Sequence, residues 1–497
     1  IAGEDNLMFA DYKSILLDKM GALVKQAEIM GRKYEICATN PPYLGRKGMN
    51  SNLKIYLEDK FNDSKYDLFS VFMEKLSSFS GDNCIYAVIS QHSWMFLSSY
   101  YKLREKMLDN EVTINMLHLG ARTFDEIAGE VVQSTAFVQR KFANSKYKGR
   151  YIRLVNMSSR KKEVKTISII KSGFGIYDCS ESVFKCLPGC PIAYWISDNM
   201  KRLFDNTAPL GNIAEPKQGM ATADNNRFTR LWFEVNRDSM GIRYKNASTA
   251  EKSSKKWFPY NKGGDFRKWY GNNEFVVNWR HNGYEIKNYK SSVIRNEDFY
   301  FKKGVTWSLV STFNFAARLS QQGFLFDVGG SSIFPKETFL EYVLALMNSK
   351  ITYEVLKIIA PTINFQVGDI KKIPLILHDN SDIKRDIMEL TRNNIEISKN
   401  DWDSFETSWD FKIHPLLLAD SGKLTAGNGN RRSTNNYPLK TARLSDAFYM
   451  WQSFADRQFQ QLKHNEEELN GIFIRIYGLQ EEIVPEEEDR DVTVRKA

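Results

Sequence analysis

Apolar residues recur at helical spacing at the start of the chain. Leu7, Tyr12, Ile15, Leu16, Met20, Leu23 and Val24 predict an amphipathic helix over residues 5–29. The period then changes. Tyr34–Thr39 predicts a short buried strand, and Asn40-Pro41-Pro42 must end it, because consecutive prolines cannot continue a central ladder. Residues 67–79 predict a helix with Leu68, Phe69, Phe72 and Leu76 on one face. A strand over 84–90, a helix over 100–109 and a strand over 112–119 follow, then a loop over 120–129 and apolar runs at 131–142 and 150–154. Strands and helices alternating in this way imply an α/β sheet.

Beyond this sheet the pattern loosens. Residues 172–209 are rich in Gly, Pro, Ser and Cys and predict a linker. Residues 210–376 are irregular, with many Gly, Asn, Trp and Arg, and predict a loop-rich α+β domain. Helical periodicity returns over 377–497, most clearly at 446–471 with Phe448, Trp451, Phe454, Phe459, Leu462 and Leu469. The expected organisation is therefore 1–171, a linker over 172–209, 210–376, and a helical region over 377–497. Residues 427–436 read as a polar flexible loop and 481–491 as an acidic, solvated end.

At 497 residues, one core is too few, and several domains are expected. The formal charge of +9 suits an anionic partner such as nucleic acid, although a basic surface can serve solubility alone. Cys37, Cys84, Cys179, Cys186 and Cys190 are odd in number and scattered, which argues for reduced thiols over a disulfide framework. The last three lack a fourth ligand and the paired spacing of a zinc site, so no metal is expected. No apolar run is long enough to span a bilayer, the start is not a signal peptide, and no membrane association is expected.

The sharpest chemical signal is Asn40-Pro41-Pro42-Tyr43, directly after a strand. The exocyclic nitrogen of adenine is a poor nucleophile because its lone pair is delocalised into the ring. Two acceptors placed against that amine, the Asn40 side-chain oxygen and the Pro41 carbonyl, localise the lone pair toward a methyl donor. Pro41 and Pro42 stiffen the loop, and Tyr43 offers a ring to stack on a base flipped from a duplex. The bland alternative is a tight turn with this sequence by coincidence.

This segment resembles motif IV of the gamma class of adenine-N6 DNA methyltransferases. Features downstream resemble the same class in order: Tyr66-Asp67-Leu68-Phe69 at a helix start, Ala87-Val88-Ile89-Ser90 with Trp94, and Leu119-Gly120 followed by Phe124. Residues 218–228, Lys262-Gly263-Gly264 with Arg267, Trp269 and Tyr270, Asn278-Trp279, residues 304–307 and residues 361–365 resemble a target-recognition domain. The whole pattern resembles the PglX-type methyltransferases of BREX phage defence and, more distantly, type IIG restriction-modification enzymes. The resemblance implies a Rossmann-like methyltransferase fold, here its C-terminal half, followed by an α+β target-recognition domain and a helical C-terminal region. It also implies S-adenosyl-L-methionine as cofactor, double-stranded DNA as partner alongside other phage-defence proteins, and a bacterial or archaeal cytoplasm. Tyr43 and Phe124 would clamp the flipped base, though Phe124 fits equally well as a buried loop anchor.

Lys262, Gly263, Gly264, Arg267, Lys268, Trp269 and Tyr270 combine glycine flexibility, positive charge and rings, as a DNA contact requires. A surface turn with solvated charges is the alternative. No glycine-rich turn precedes Asn40, so Asn40 is the one expected cofactor contact, and this chain is expected to bind S-adenosylmethionine weakly or not at all. The competing function is a DNA-recognition fragment without chemistry. No persuasive acidic-lysine nuclease cluster is found, and cleavage is not expected.

Overall fold

The computed structural model describes residues 10–123, 132–155, 157–361, 363–418 and 444–496. It divides into two compact units, Ile1–Ser197 and Asp198–Ala497.

The first unit runs α1 (Ala10–Gly31), β1 (Tyr34–Thr39), α2 (Ser51–Lys60), α3 (Leu68–Phe79), β2 (Ser80–Gln91), α4 (Tyr101–Asn110), β3 (Val112–Gly120), β4 (Ser134–Arg140), β5 (Lys148–Arg153), α5 (Ser159–Ser172), β6 (Ile176–Ser180) and α6 (Glu181–Cys186). Its six strands form one mixed sheet in the order β1-β2-β4-β3-β5-β6. β1 and β2 are parallel, with Thr39 opposite Val88, because α2 and α3 carry the chain back between them. β4 is antiparallel to both its neighbours, so Ser134 at its start lies opposite Gln91 of β2 and Gly120 of β3. The carboxyl ends of β1, β2 and β3 therefore share one sheet edge. In open α/β sheets that edge is where ligands bind.

The core of this unit is aromatic: Phe69, Tyr86, Trp94, Phe137, Tyr151 and Phe184 are all essentially inaccessible. The buried guanidinium of Arg104 ties the turn after β2 by donating to the carbonyls of Trp94, Leu97 and Gly189. Among the described residues β1 pairs with β2 alone, and Ile36 is 74% exposed. The stretch expected as a linker is built into the fold: β6 pairs with β5, and Phe184, Ile192 and Tyr194 lie in the core. Its glycines and prolines shape turns between packed elements, which composition alone cannot distinguish from a free connection.

The second unit opens with α7 (Asp198–Asn206), β7 (Pro216–Lys217), α8 (Asn225–Phe228), β8 (Thr229–Leu231), α9 (Ala247–Glu251), β9 (Trp257–Asn261), β10 (Phe275–Asn278) and α10 (Arg280–Lys287). It continues with β11 (Gly304–Trp307), β12 (Ala317–Ser320), β13 (Leu325–Phe326), β14 (Ser332–Ile333), α11 (Leu340–Asn348), α12 (Lys350–Ile359), α13 (Val367–Ile370), α14 (Ser381–Asp403), α15 (Pro415–Leu418) and α16 (Leu444–Tyr477). Two four-stranded sheets result, β13-β9-β10-β8 and β12-β11-β14-β7. The long helices α14 and α16 pack on each other and on α11 and α12, so the expected α+β and helical regions form one compact body. The loop expected at 427–436 lies outside the described residues. Among the described residues no helix is long and apolar enough to cross a membrane, and no cluster of three or more His, Cys, Asp or Glu side chains could hold a metal ion.

Candidate active site

The Asn40–Tyr43 run leaves the sheet at the carboxyl end of β1, as the two prolines require. Asn40 is exposed, Pro41 is buried, Pro42 is exposed and Tyr43 is half-buried. An accessible amide side chain thus stands beside a proline whose ring is packed into the protein. The Tyr43 ring meets Phe69 edge-on, with centroids 6.2 Å apart. Its hydroxyl is buried and lies beside the buried Ser134. Burial raises the Tyr43 pKa, so this phenol stays neutral at physiological pH.

The chain leaving Tyr43 is fastened to the start of α3. Asp67 caps that helix by accepting from the Phe69 amide at 3.3 Å, and the same oxygen accepts from the Leu44 amide at 3.0 Å. The Leu68 amide donates back to the Leu44 carbonyl, and the Arg46 amide donates to the Tyr66 carbonyl, each at 3.1 Å. Asp67 is half-buried, and desolvation raises its pKa despite these amide donors. The sequence marked Asp67 only as a helix start; an Asp before an apolar helical run is the usual cap signal. Ser134 carried no sequence signal, since its place beneath Tyr43 depends on strand register.

Phe124, the second expected clamp residue, lies outside the described residues. Close to the same sheet edge, His92 after β2 and His118 in β3 form a buried pair, with ring nitrogens 2.8 Å apart. His118 also lies 3.2 Å from the Tyr194 hydroxyl. Burial holds both imidazoles below their usual pKa, His92 at about 4, so the pair is neutral near pH 7.

In the second unit, the expected DNA strip divides. Lys262 is half-buried, its ammonium 4.9 Å from the Phe275 ring centre, and Gly264 is exposed. Gly263 has φ +91°, and a side chain there would meet the Gly329 carbonyl at 2.7 Å, so only glycine fits the turn. Arg267, Lys268, Trp269 and Tyr270 are interior, with exposures of 9%, 5%, 1% and 1%. Arg267 pairs with Asp401 at 2.7 Å, and Lys268 pairs with Glu466 at 2.8 Å and Glu487 at 3.6 Å. The Trp269 indole N–H donates to Glu466. Burial alone would depress the Lys268 pKa, but Glu466 and Glu487 outweigh it and raise it. These four residues are packed inside the fold, where the charges of Arg267 and Lys268 are already neutralised, and reaching a phosphate would unpack it. The tail expected to be solvated supplies one of the partners, the buried Glu487, which also accepts from Asn470 at 2.8 Å.

The sheet presents an exposed asparagine and a proline-stiffened turn at its carboxyl edge, and the chain around them is similar to known proteins. Residues 7–124 match the Eco57I restriction-modification methylase family. The chain is similar to two proteins named adenine-specific methyltransferases, PglX and BrxX. It is 40% identical over 487 residues to PglX of Lacticaseibacillus casei (strain Zhang), covering 96% of this chain and 39% of that protein. It is 38% identical over 373 residues to BrxX of Escherichia coli O9:H4 (strain HS), covering 74% of this chain and 30% of that protein. The chain thus spans about two fifths of the longer-matched relative. Among solved structures, the Type IIL restriction-modification enzyme MmeI in complex with DNA overlaps 90% of this chain and 54% of its own. That overlap has 11% identity and a TM-score of 0.49.

Proposed function

We propose that this chain carries the amine-binding loop and a DNA-reading part of a site-specific DNA adenine-N6 methyltransferase acting in BREX-type phage defence. The observation that carries the reading is the placement of Asn40. It is exposed at the carboxyl end of β1, next to a buried proline, in a loop pinned at its exit. The relatives named adenine-specific methyltransferases support the substrate class.

S-adenosylmethionine, when bound, supplies the electrophilic methyl group. The residues present suit the acceptor side of that chemistry: Asn40 is accessible, and the described chain before it is one helix and one strand without a glycine-rich turn. The Asn40 side-chain oxygen and the Pro41 carbonyl accept the two N–H bonds of the adenine amine. This turns the nitrogen lone pair out of conjugation, and the amine proton leaves to solvent after the N–C bond forms. The Tyr43 ring flanks the extruded base. In the second unit, the exposed turn at Gly264 beside Lys262 is the part of the sequence-nominated strip that remains able to meet a phosphate.

The test is product analysis. The full-length protein, supplied with S-adenosylmethionine and duplex DNA, should form N6-methyladenine, read by mass spectrometry of the hydrolysed nucleosides. Methylcytosine, or no methylated base in DNA that the protein binds, would overturn the assignment.

A further inference from the structure

We infer that Asp67 is a positioning residue for methyl transfer: its carboxylate holds the Leu44 amide, the first amide after the N-P-P-Y run, and so fixes the exit of the loop whose acceptors meet the amine. The inference rests on the proposed reading of that loop.

The loop cannot hold itself. Pro41 and Pro42 have no N–H to donate. Upstream, the run is anchored by β1, where Thr39 is in register with Val88 of β2. Downstream, the first polar ties fall on Leu44: its amide on Asp67 at 3.0 Å, and its carbonyl on the Leu68 amide at 3.1 Å. Gly45 then forms a bridge with Asp67 itself, and a side chain at Gly45 would meet the second carboxylate oxygen at 3.5 Å.

Asp67 therefore has two separable tasks. Capping α3 through the Phe69 amide is local, and Ser, Thr or Asn does it as well. Reaching the Leu44 amide spans 23 residues of sequence and needs an acceptor of aspartate length. Asp67 touches neither substrate nor methyl donor in this account. It acts through the geometry of Asn40 and Pro41, where a misplacement of about 1 Å can cost about a hundredfold in rate.

Three variants of the full-length protein separate the tasks, with kcat, KM for cognate DNA and thermal midpoint as readouts. Asp67→Ser keeps a cap for α3 but is too short for Leu44. Its kcat should fall about ten- to a hundredfold, with KM for DNA within about twofold and the midpoint nearly unchanged. Asp67→Asn keeps both acceptor contacts and should recover kcat to within about threefold of wild type. Asp67→Ala should lose rate as Ser does and lose stability as well; if it does not fold, the Ser variant carries the test. Wild-type kcat in Asp67→Ser, or an Asn variant as slow as the Ser variant, would overturn the positioning role. A wild-type protein that forms no N6-methyladenine would instead remove the reading on which the role rests.

Discussion

The segments 40–43 and 262–270 looked alike in promise, and the structure treats them differently. The first keeps its accessible functional group: Asn40 stays exposed while its neighbours are fixed around it. The second turns most of its charge and rings inward, onto Asp401, Glu466 and Glu487. The difference lies in what each pattern depends on. Two prolines after a strand dictate a turn whatever the rest of the chain does. A mixture of Lys, Arg and aromatic residues dictates nothing until the positions of the carboxylates are known. Here those carboxylates lie more than 130 residues away in sequence.

The comparison breaks most visibly at Lys268. Lys268→Met leaves Glu466 and Glu487 buried with their principal cation gone, so the protein should lose about 3–5 kcal/mol of stability. Chemical denaturation measures this. A variant of wild-type stability with a shallower salt dependence of DNA binding would restore the sequence reading.

The first unit supplies the contrasting buried charge. Glu181 accepts from the Thr113 amide, faces Glu111, and is pushed up to about 7 by burial. The unfolded chain ionises it near 4.5, so the folded state holds the proton more tightly. Its contribution is therefore full below pH about 4.5 and is lost as pH rises through about 7. Glu181→Gln keeps an acceptor for Thr113 and should flatten that decline, stabilising the protein at pH 8 by up to about 3 kcal/mol. Thermal midpoints of both proteins at pH 5 and pH 8 check it; parallel pH profiles would contradict it.

At Tyr43 the structure separates ring from hydroxyl. Tyr43→Ala should weaken binding of a duplex with an extruded adenine by about 1–3 kcal/mol, the worth of a base–aromatic stack. Tyr43→Phe should bind as the wild type does, because the hydroxyl it removes is buried in the protein and not presented to a base. Fluorescence of 2-aminopurine at the target position reports both, and equal losses would mean the ring is not the contact. The smallest expected effect is at Lys262: Lys262→Ala should weaken cognate and non-cognate duplexes alike and lower the salt slope by about one.

Much of the first unit was legible because its strands are apolar runs bounded by turns, and β1 falls on the predicted residues. What escaped was set by distance along the chain. The place of residues 176–194 in the core depends on β5 and α4. Asp67 was visible as a helix cap, but its second bond, to Leu44, follows only from how α3 meets the loop. The acidic tail misled for the same reason as the basic strip: Glu487 and Lys268 neutralise each other, and each in isolation reads as solvated.

On the proposed reading residues 40–43 meet the amine, whereas residues 267–270 are packed inside the fold. Methyl incorporation into cognate duplex by the full-length Asn40→Ala variant tests it most directly, with DNA affinity and thermal midpoint measured on the same preparation. Removing one transition-state acceptor should lower the rate by about a hundredfold or more while leaving affinity and midpoint near wild type. Methylation at close to the wild-type rate would contradict the account.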